Sequence, residues 1–338
     1  MDRRTSEKTL LVFNCHEAWV YQLGTLGLPL DIVVGLDGRH TEGWDLQMRP
    51  LPTNARLIRL DDALAHPNPY YYCIITHNVA DLMQIKHRSE PRLLVIHSTI
   101  EGRRLEERSQ VEPERMRQTL RTYLTLVGGH AVAVSALKGR SWGFTEDIAP
   151  FCADLRDYRS YTGDWPCGLR ICNFISSRRN ILMWDFHEQA FAGLPVKLVG
   201  HNPDLPGVRA TEDWEQLKAY LQSHRFYIHT ADPSLEDGYN MATMEAMAAG
   251  MPILGNKHPS SPVEHGVSGF LSDDPQELNA YARTLLEDRD LAVRMGQAAQ
   301  SCARRQFSVE GFRQKFLRSI EVARAKSSTC TAPATMPL

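Results

Sequence analysis

Along the first half of the chain, short apolar runs alternate with longer segments of mixed polarity. The runs occupy residues 10–13, 31–36, 73–76, 93–96 and 131–134. Unbroken apolar runs of this length are typical of strands that are buried on both faces of a parallel sheet. The segments between them suit helices that cover the sheet, and 113–127 carries the apolar stripe of such a helix. The pattern therefore predicts a doubly wound α/β domain.

The second half repeats this alternation without repeating the sequence. Strands are predicted at 169–174, 196–199, 226–229, 252–254 and 269–271, and helices at 183–192, 214–222, 240–249, 275–286, 291–306 and 309–325. Residues 151–168 are rich in Asp, Tyr, Gly and Pro and lack periodicity, which favours a linker. We therefore predict an N-terminal domain over 1–160, a second Rossmann-like domain over 161–325, and a disordered tail over 326–338.

Polar residues follow several strands of the predicted first sheet. Asn14 and His16 follow the first run, His77 the third, and His97 the fourth. Ligands of open α/β sheets bind outside the carboxyl ends of the strands, so these side chains are candidates for substrate contact. A histidine that is satisfied inside the fold remains the alternative for His97.

The most informative segment is 232–252, which reads DPSLEDGYNMATMEAMAAGMP. Turn residues and Gly238 lead into a helix that Gly250 ends. Helical spacing groups Glu245 with methionines and alanines on one predicted apolar face, and a buried carboxylate requires a partner. The amino end of this helix is suited to an anion such as a phosphate. The alternatives are that Asp237 only caps the helix and that the methionines only pack.

A pair of arginines, Arg178 and Arg179, follows the strand predicted at 169–174. Two guanidinium groups at a strand end are suited to grip a diphosphate. An ordinary exposed arginine pair is the competing interpretation.

Composition narrows the classes of function. A length of 338 residues favours two domains, and a net charge of −2 gives no electrostatic case for nucleic acid. The seven cysteines are scattered and include no CxxC pair, which favours reduced thiols and a cytoplasmic protein. No signal peptide or membrane span is expected, while a peripheral membrane contact stays open. No metal-ligand spacing is visible, so neither a metal nor another cofactor is expected.

One segment resembles the signature of retaining GT-B glycosyltransferases of family 4. It consists of Asp237, seven intervening residues, and Glu245 followed by AMAAGMP. The similarity continues through PVEHGVSGFLS and covers about 196–323. It implies two Rossmann-like domains facing each other across a cleft, a nucleotide-sugar donor, an unknown acceptor, retention of configuration, and independence of metal.

The resemblance also implies roles for single residues. Glu245 accepts the ribose hydroxyls, Asp237 or its neighbour Glu236 orients the donor sugar, and His97 contacts that sugar. The remaining donor-binding candidates are Arg178, Arg179, Gly200, Gly238, Tyr239, Asn240 and Met241. Asn14, His16 and His77 are the candidates for contact with the acceptor or the sugar.

Three features depart from the family pattern. The first acid is Asp rather than Glu, no lysine follows the arginine pair before Lys197, and the usual glycine pair after the first strand is replaced by NCHEAW. Two alternatives therefore stay open beside the transferase. One is a sugar-nucleotide epimerase of the same architecture, and the other is a degenerate GT-B binding module without activity.

Overall fold

The structure, a computed structural model, describes residues 8–38 and 42–330. The chain divides into two compact units. The first comprises Met1–Ile100, Ser109–Pro150 and Glu310–Leu338, and the second comprises Glu101–Arg108 and Phe151–Val309. The division at Phe151 coincides with the start of the predicted linker.

A six-stranded parallel sheet forms the centre of the first unit. Its strands are β1 (Leu10–Phe13), β2 (Leu30–Val34), β3 (Ala55–Arg59), β4 (Cys73–Thr76), β5 (Arg92–Ile96) and β6 (His130–Ala133), in the order β3-β2-β1-β4-β5-β6. All pairs are parallel. The order reverses direction between β1 and β4, and this is the switch point at which doubly wound sheets hold their ligands.

The sequence prediction missed β3. Most of its side chains are exposed because it is the edge strand, so it has no apolar run. Its pairing with β2 in register from Leu30–Ala55 to Val34–Arg59 comes from the backbone, which hydropathy does not report.

Helix α4 (Ile100–Glu107) lies almost wholly in the second unit. The first unit contains the helices α1 (Glu17–Tyr21), α2 (Leu60–Leu64), α3 (Val79–Gln84), α5 (Pro113–Leu126) and α6 (Ala136–Trp142). The last helix of the chain is α12 (Val309–Thr329), and its residues from Glu310 onward belong to the first unit. Residues 326–329 are therefore helical rather than disordered as predicted. Residues 331–338 of the predicted tail lie outside the described part of the chain.

A five-stranded parallel sheet forms the second unit. Its strands are β7 (Trp165–Ile171), β8 (Val196–Val199), β9 (His224–His229), β10 (Ile253–Gly255) and β11 (Gly269–Leu271), in the order β11-β10-β9-β7-β8. The covering helices are α7 (Trp184–Ala190), α8 (Trp214–Ser223), α9 (Met241–Ala249), α10 (Pro275–Glu287) and α11 (Arg289–Gln306). Strand β7 begins four residues before the predicted run, inside the predicted linker, and ends at Ile171.

Helix α9 is buried on every side rather than along one stripe. All residues from Thr243 to Ala249 are buried, so burial extends beyond the one apolar face that helical spacing predicted. Helix α11 packs closely on its end, where a Cβ added to Gly296 would lie 1.9 Å from the carbonyl oxygen of Gly250. Only a glycine permits this approach of the two backbones.

Candidate functional site

The amino end of α9 lies at the carboxyl edge of the second sheet, after β9. The side chain of Asn240 accepts a hydrogen bond from the amide of Thr243 at 2.8 Å, and Oγ1 of Thr243 accepts one from the amide of Asn240 at 3.3 Å. This reciprocal cap fixes the first turn. The amides of Met241 and Ala242 have no acceptor among the described residues. They supply the donors and the positive dipole end that an anion prefers.

Glu245 lies in the second turn of α9 and is 5% exposed. Its Oε1 accepts a hydrogen bond from the hydroxyl of Tyr158 at 3.1 Å. Tyr158 lies in the segment that the sequence predicted as linker, so its contact with Glu245 is a tertiary feature. The hydroxyl orients one carboxylate oxygen of Glu245 in a region that water hardly enters.

Asp237 is the second buried acid of the motif and is 1% exposed. Its Oδ1 accepts a hydrogen bond from Oγ of Ser260 at 3.3 Å, and its carbonyl oxygen accepts one from Nε2 of His229 at 3.1 Å. His258 holds the preceding carbonyl, that of Glu236, through its Nε2 at 3.0 Å. Glu236 and Asp237 form the acidic loop. The imidazole of His229, in β9, and that of His258, in the loop after β10, therefore fix the backbone of this acidic loop.

Gly238 serves this loop in a way that the sequence did not indicate. A Cβ at this position would lie 2.7 Å from the ring of His258, so the glycine is needed for close packing rather than for a positive φ. Its amide donates to Oγ of Ser260 at 2.9 Å. The Gly238 amide is thus engaged by the protein, and the donors that remain for an anion lie one turn further along.

The structure separates the two arginines that the sequence could not distinguish. Arg178 lies beside the acidic loop, with Nη2 3.6 Å from Oε2 of Glu236 and Nε 2.7 Å from Oε1 of Glu106. Arg179 instead forms ion pairs with Asp185 and, at 2.8 Å, with Glu188. Arg179 therefore matches the ordinary surface interpretation, and Arg178 is the arginine near the motif.

Two further donor-side candidates have structural explanations. Gly200 follows β8 with φ +137°, and an added Cβ would lie 2.1 Å from the carbonyl oxygen of Cys172. Tyr239 packs its ring against Phe307 and Phe151, with centroids 5.3 Å and 6.1 Å apart. Gly200 thus permits a close approach to the end of β7, and Tyr239 anchors the motif segment by packing.

In the first unit, His77 and His97 lie side by side at the ends of β4 and β5. Nδ1 of His77 is 2.8 Å from Nε2 of His97, so one imidazole donates to the other. The ring of Trp19 meets both imidazoles edge to face, with centroids 4.9 Å apart in each case. Burial lowers the pKa of His77 to about 4 and holds that of His97 well below its usual value. Both rings are therefore neutral near pH 7.

Asn14 and His16 flank this pair in the loop after β1. Asn14 is buried, and its amide donates to the carbonyl oxygen of Gly43 at 2.9 Å and to Oε1 of Glu17 at 3.2 Å. His16 is the residue before α1 and is exposed. Asn14 thus fastens the loop, and His16 is the more accessible of the two candidates.

Cys15 joins the two histidines in a cluster that spacing along the chain did not indicate. One ligand atom from each of Cys15, His77 and His97 lies within 4.8 Å of the others. The three residues come from the ends of β1, β4 and β5, which are neighbours only in the folded sheet. Sequence analysis likewise missed Ser260, although it lies in a polar loop after a strand, the signal that singled out His77 and His97.

All seven cysteines are free thiols, and Cys15, Cys172 and Cys330 are half-buried. Within residues 8–38 and 42–330, no helix has the length and apolar character needed to cross a membrane.

Two sequence comparisons find similarity to glycosyltransferases over part of the chain. Residues 191–288 match the family described as "Glycosyl transferases group 1". A stretch of 121 residues is 32% identical to the "Amylovoran biosynthesis glycosyltransferase AmsK" of Erwinia amylovora. That stretch covers 33% of this chain and 27% of the relative, so the chain matches about a quarter of the relative's length.

Solved structures resemble nearly the whole chain. The sucrose-phosphate synthase of Thermosynechococcus elongatus superposes with a TM-score of 0.65 at 15% identity, over 92% of this chain and 98% of its own. HepE of Anabaena, in complex with UDP and glucose, superposes with a TM-score of 0.62 at 14% identity, over 93% and 100%. The chain has the GT-B fold, with two Rossmann-like domains built on parallel sheets.

Proposed function

We propose that the protein is a glycosyltransferase that moves a sugar from a nucleotide-sugar donor to an acceptor, with retention of configuration and without a required metal. One observation carries the proposal. Asp237 and Glu245 are both buried around the amino end of α9, at the carboxyl edge of the second sheet. This arrangement lies inside the stretch that matches the glycosyl transferases group 1 family.

The donor nucleotide is proposed to bind to the second unit. The amides of Met241 and Ala242 lie at the helix terminus where a diphosphate gains most from hydrogen bonds and from the dipole. Glu245 accepts the ribose hydroxyls, and Tyr158 holds its carboxylate in a fixed orientation through the 3.1 Å hydrogen bond. Because these groups are in place before the donor arrives, little ordering is required on binding.

The departing diphosphate develops negative charge in the transition state. Fixed amides and a guanidinium can stabilise that charge electrostatically, which is why a divalent ion is not required in this proposal. Arg178 is a cation beside the acidic loop, and it already balances Glu236 and Glu106. On donor binding, the diphosphate would compete for this guanidinium.

The acidic loop is proposed to orient the sugar that is transferred. Asp237 is held by Ser260 and its backbone by His229, so the carboxylate is preorganised for positive charge that develops on the sugar. In the first unit, neutral His97 is the candidate for a hydrogen bond to a sugar hydroxyl. His16, which is exposed, is the candidate for contact with the acceptor.

UDP-sugars are the first donors to test, since HepE was solved with UDP and glucose. Because the relative from Erwinia amylovora is a glycosyltransferase of amylovoran biosynthesis, intermediates of that biosynthesis are the first acceptors to test. We also propose a cytoplasmic location, which the scattered cysteines predict and which cell fractionation would test.

The test is incubation of the purified protein with a panel of nucleotide sugars. Slow release of nucleoside diphosphate from one donor, abolished in Asp237→Asn, supports the transferase. An isomerised nucleotide sugar would identify an epimerase instead. Absence of binding to every nucleotide and nucleotide sugar in a thermal-shift screen would refute the proposal, because a ligand that binds only the folded state raises its melting temperature.

A further inference from the structure

The loop after β1 carries Cys15 where the resembled family has a glycine pair, and the proposed transfer reaction does not use this thiol. Cys15 is the only cysteine that lies beside His77 and His97 among the described residues. We propose that Cys15, His77 and His97 form a binding site for a zinc-type divalent cation, and that the bound cation inhibits sugar transfer.

The distances fit such an ion with a small adjustment. In a tetrahedral zinc site with usual bond lengths, two imidazole nitrogens lie about 3.3 Å apart and a sulfur about 3.6 Å from each nitrogen. Here Nδ1 of His77 and Nε2 of His97 are 2.8 Å apart, and all three ligand atoms lie within 4.8 Å of one another. The cation replaces the hydrogen bond between the two rings by moving them apart by about 0.5 Å, and it draws the sulfur toward the nitrogens by at most about 1.2 Å.

The surroundings hold the ligands in position. Trp19 is 2% exposed and meets both imidazoles edge to face, so neither ring is free to turn away. The backbone amide of His77 donates to Oδ2 of Asp81 at 2.8 Å, which fixes the end of β4. Support of this kind from a surrounding shell determines how tightly a metal is held.

The local charges also favour a cation. Asp81, 1% exposed, interacts electrostatically with both His77 and Cys15, and Glu17 interacts with Cys15. Lys138 and His16 oppose these charges near His97. Asp81 and Glu17 therefore supply carboxylates close to the cluster, and these attract a cation.

Binding is a ligand exchange that balances without an oxidant. The thiol of Cys15 loses its proton to solvent and forms a sulfur–metal bond, and the two neutral imidazoles donate lone pairs. The three protein ligands leave a fourth position for water, as in metal sites that stay open. His97 is then engaged by the metal and unavailable to the sugar, so the inhibition rests on the proposed function while the binding does not.

The test begins with the full-length, reduced and chelator-treated protein titrated with Co²⁺, which reports thiolate coordination by a near-ultraviolet charge-transfer band. The parent protein should show the band at one equivalent, and Zn²⁺ should displace it. Cys15→Ser should abolish the band and weaken Zn²⁺ binding by at least about tenfold. Cys330→Ser, which changes another half-buried thiol, should retain both.

Absence of the band in the parent, or its persistence in a folded Cys15→Ser protein, overturns the site. Circular dichroism and the melting temperature establish that the variants are folded, and His97→Ala provides a second variant that must also lose the band. The inhibitory role is tested separately. Zn²⁺ should lower the turnover of the parent and of Cys330→Ser but not that of Cys15→Ser; equal inhibition of all three overturns that role. If no donor is turned over but the band behaves as described, the proposed function fails and the metal site stands.

Discussion

Replacement of Glu245 by glutamine tests the donor site most directly. Glutamine has nearly the same shape, and its amide oxygen can still accept the hydrogen bond that Tyr158 donates at 3.1 Å. Helix α9 is buried from Thr243 to Ala249, so a larger or smaller side chain would disturb packing whereas glutamine should not. The change therefore removes the charge and leaves the fold.

The magnitude follows from the burial of the carboxylate. Glu245 is 5% exposed, so solvent does not replace the bonds that it makes to a ribose. Hydrogen bonds to charged groups contribute about 1.5–3 kcal/mol, and those between neutral groups about 0.5–1.5 kcal/mol. The difference of about 1.5 kcal/mol corresponds to an increase of about tenfold in the Kd of the donor.

Calorimetric titration with the donor and with the free nucleoside diphosphate measures this change. Glu90→Gln is the matched control, because Glu90 is also buried but lies in the first unit, paired with Arg88. It should lower the melting temperature and leave the donor Kd within about twofold, well below the tenfold effect at Glu245. An unchanged Kd in folded Glu245→Gln would refute the assignment of Glu245 to the ribose.

Tyr158 extends the same test. If Tyr158 acts by orienting Glu245, Tyr158→Phe should raise the Kd more in the parent than in the Glu245→Gln background, where the side chain that it orients carries no charge. Additive effects of the two substitutions would mean that the hydroxyl acts independently of the carboxylate.

Four further predictions concern the acids, the arginines, the metal and pH. Asp237→Asn should lower kcat more than donor affinity, because the carboxylate acts as positive charge develops on the sugar. If Glu236→Gln reduces turnover and Asp237→Asn does not, the role belongs to Glu236. Arg178→Gln should weaken binding of the nucleoside diphosphate by about tenfold, whereas Arg179→Gln, which disrupts only surface ion pairs, should leave the Kd nearly unchanged. Treatment with EDTA should leave donor turnover intact, and activity that is lost and then restored by a divalent ion would contradict metal-independent catalysis. Stability should fall between pH 7 and pH 5, because burial lowers the pKa of several histidines from 6.5 to about 4 or below, so that only the unfolded chain takes up protons in this range. The free energy of unfolding should decrease by about 2 kcal/mol for each such residue. A melting temperature that stays constant between pH 7 and pH 5 would refute this prediction. Such residues include His187, His224 and His229.

Much of the fold follows from local pattern. Strands β1, β4, β8 and β11 have the predicted bounds, because each is a short apolar run between polar segments. Strand β3 escaped prediction because an exposed edge strand is specified by its backbone partner, β2, and not by its own hydropathy. The extension of α12 to Thr329 was not predicted, because the small and polar residues there favour disorder by their composition. A tertiary contact nevertheless holds them in the helix. Here Lys326 lies 3.0 Å from Nδ1 of His130.

The candidate site divides in the same way. The sequence by itself determined that Asp237 lies just before one helix and Glu245 inside it, since turn residues and Gly238 separate Asp237 from the helical run. Only the tertiary structure decided that Arg178 rather than Arg179 lies beside Glu236, that Tyr158 reaches Glu245, and that Cys15 joins His77 and His97. The physical reason is that hydropathy and spacing report which face of a local element is buried. Contacts between residues that are 20 to 87 positions apart depend instead on strand order and loop path, which arise when the whole sheet assembles.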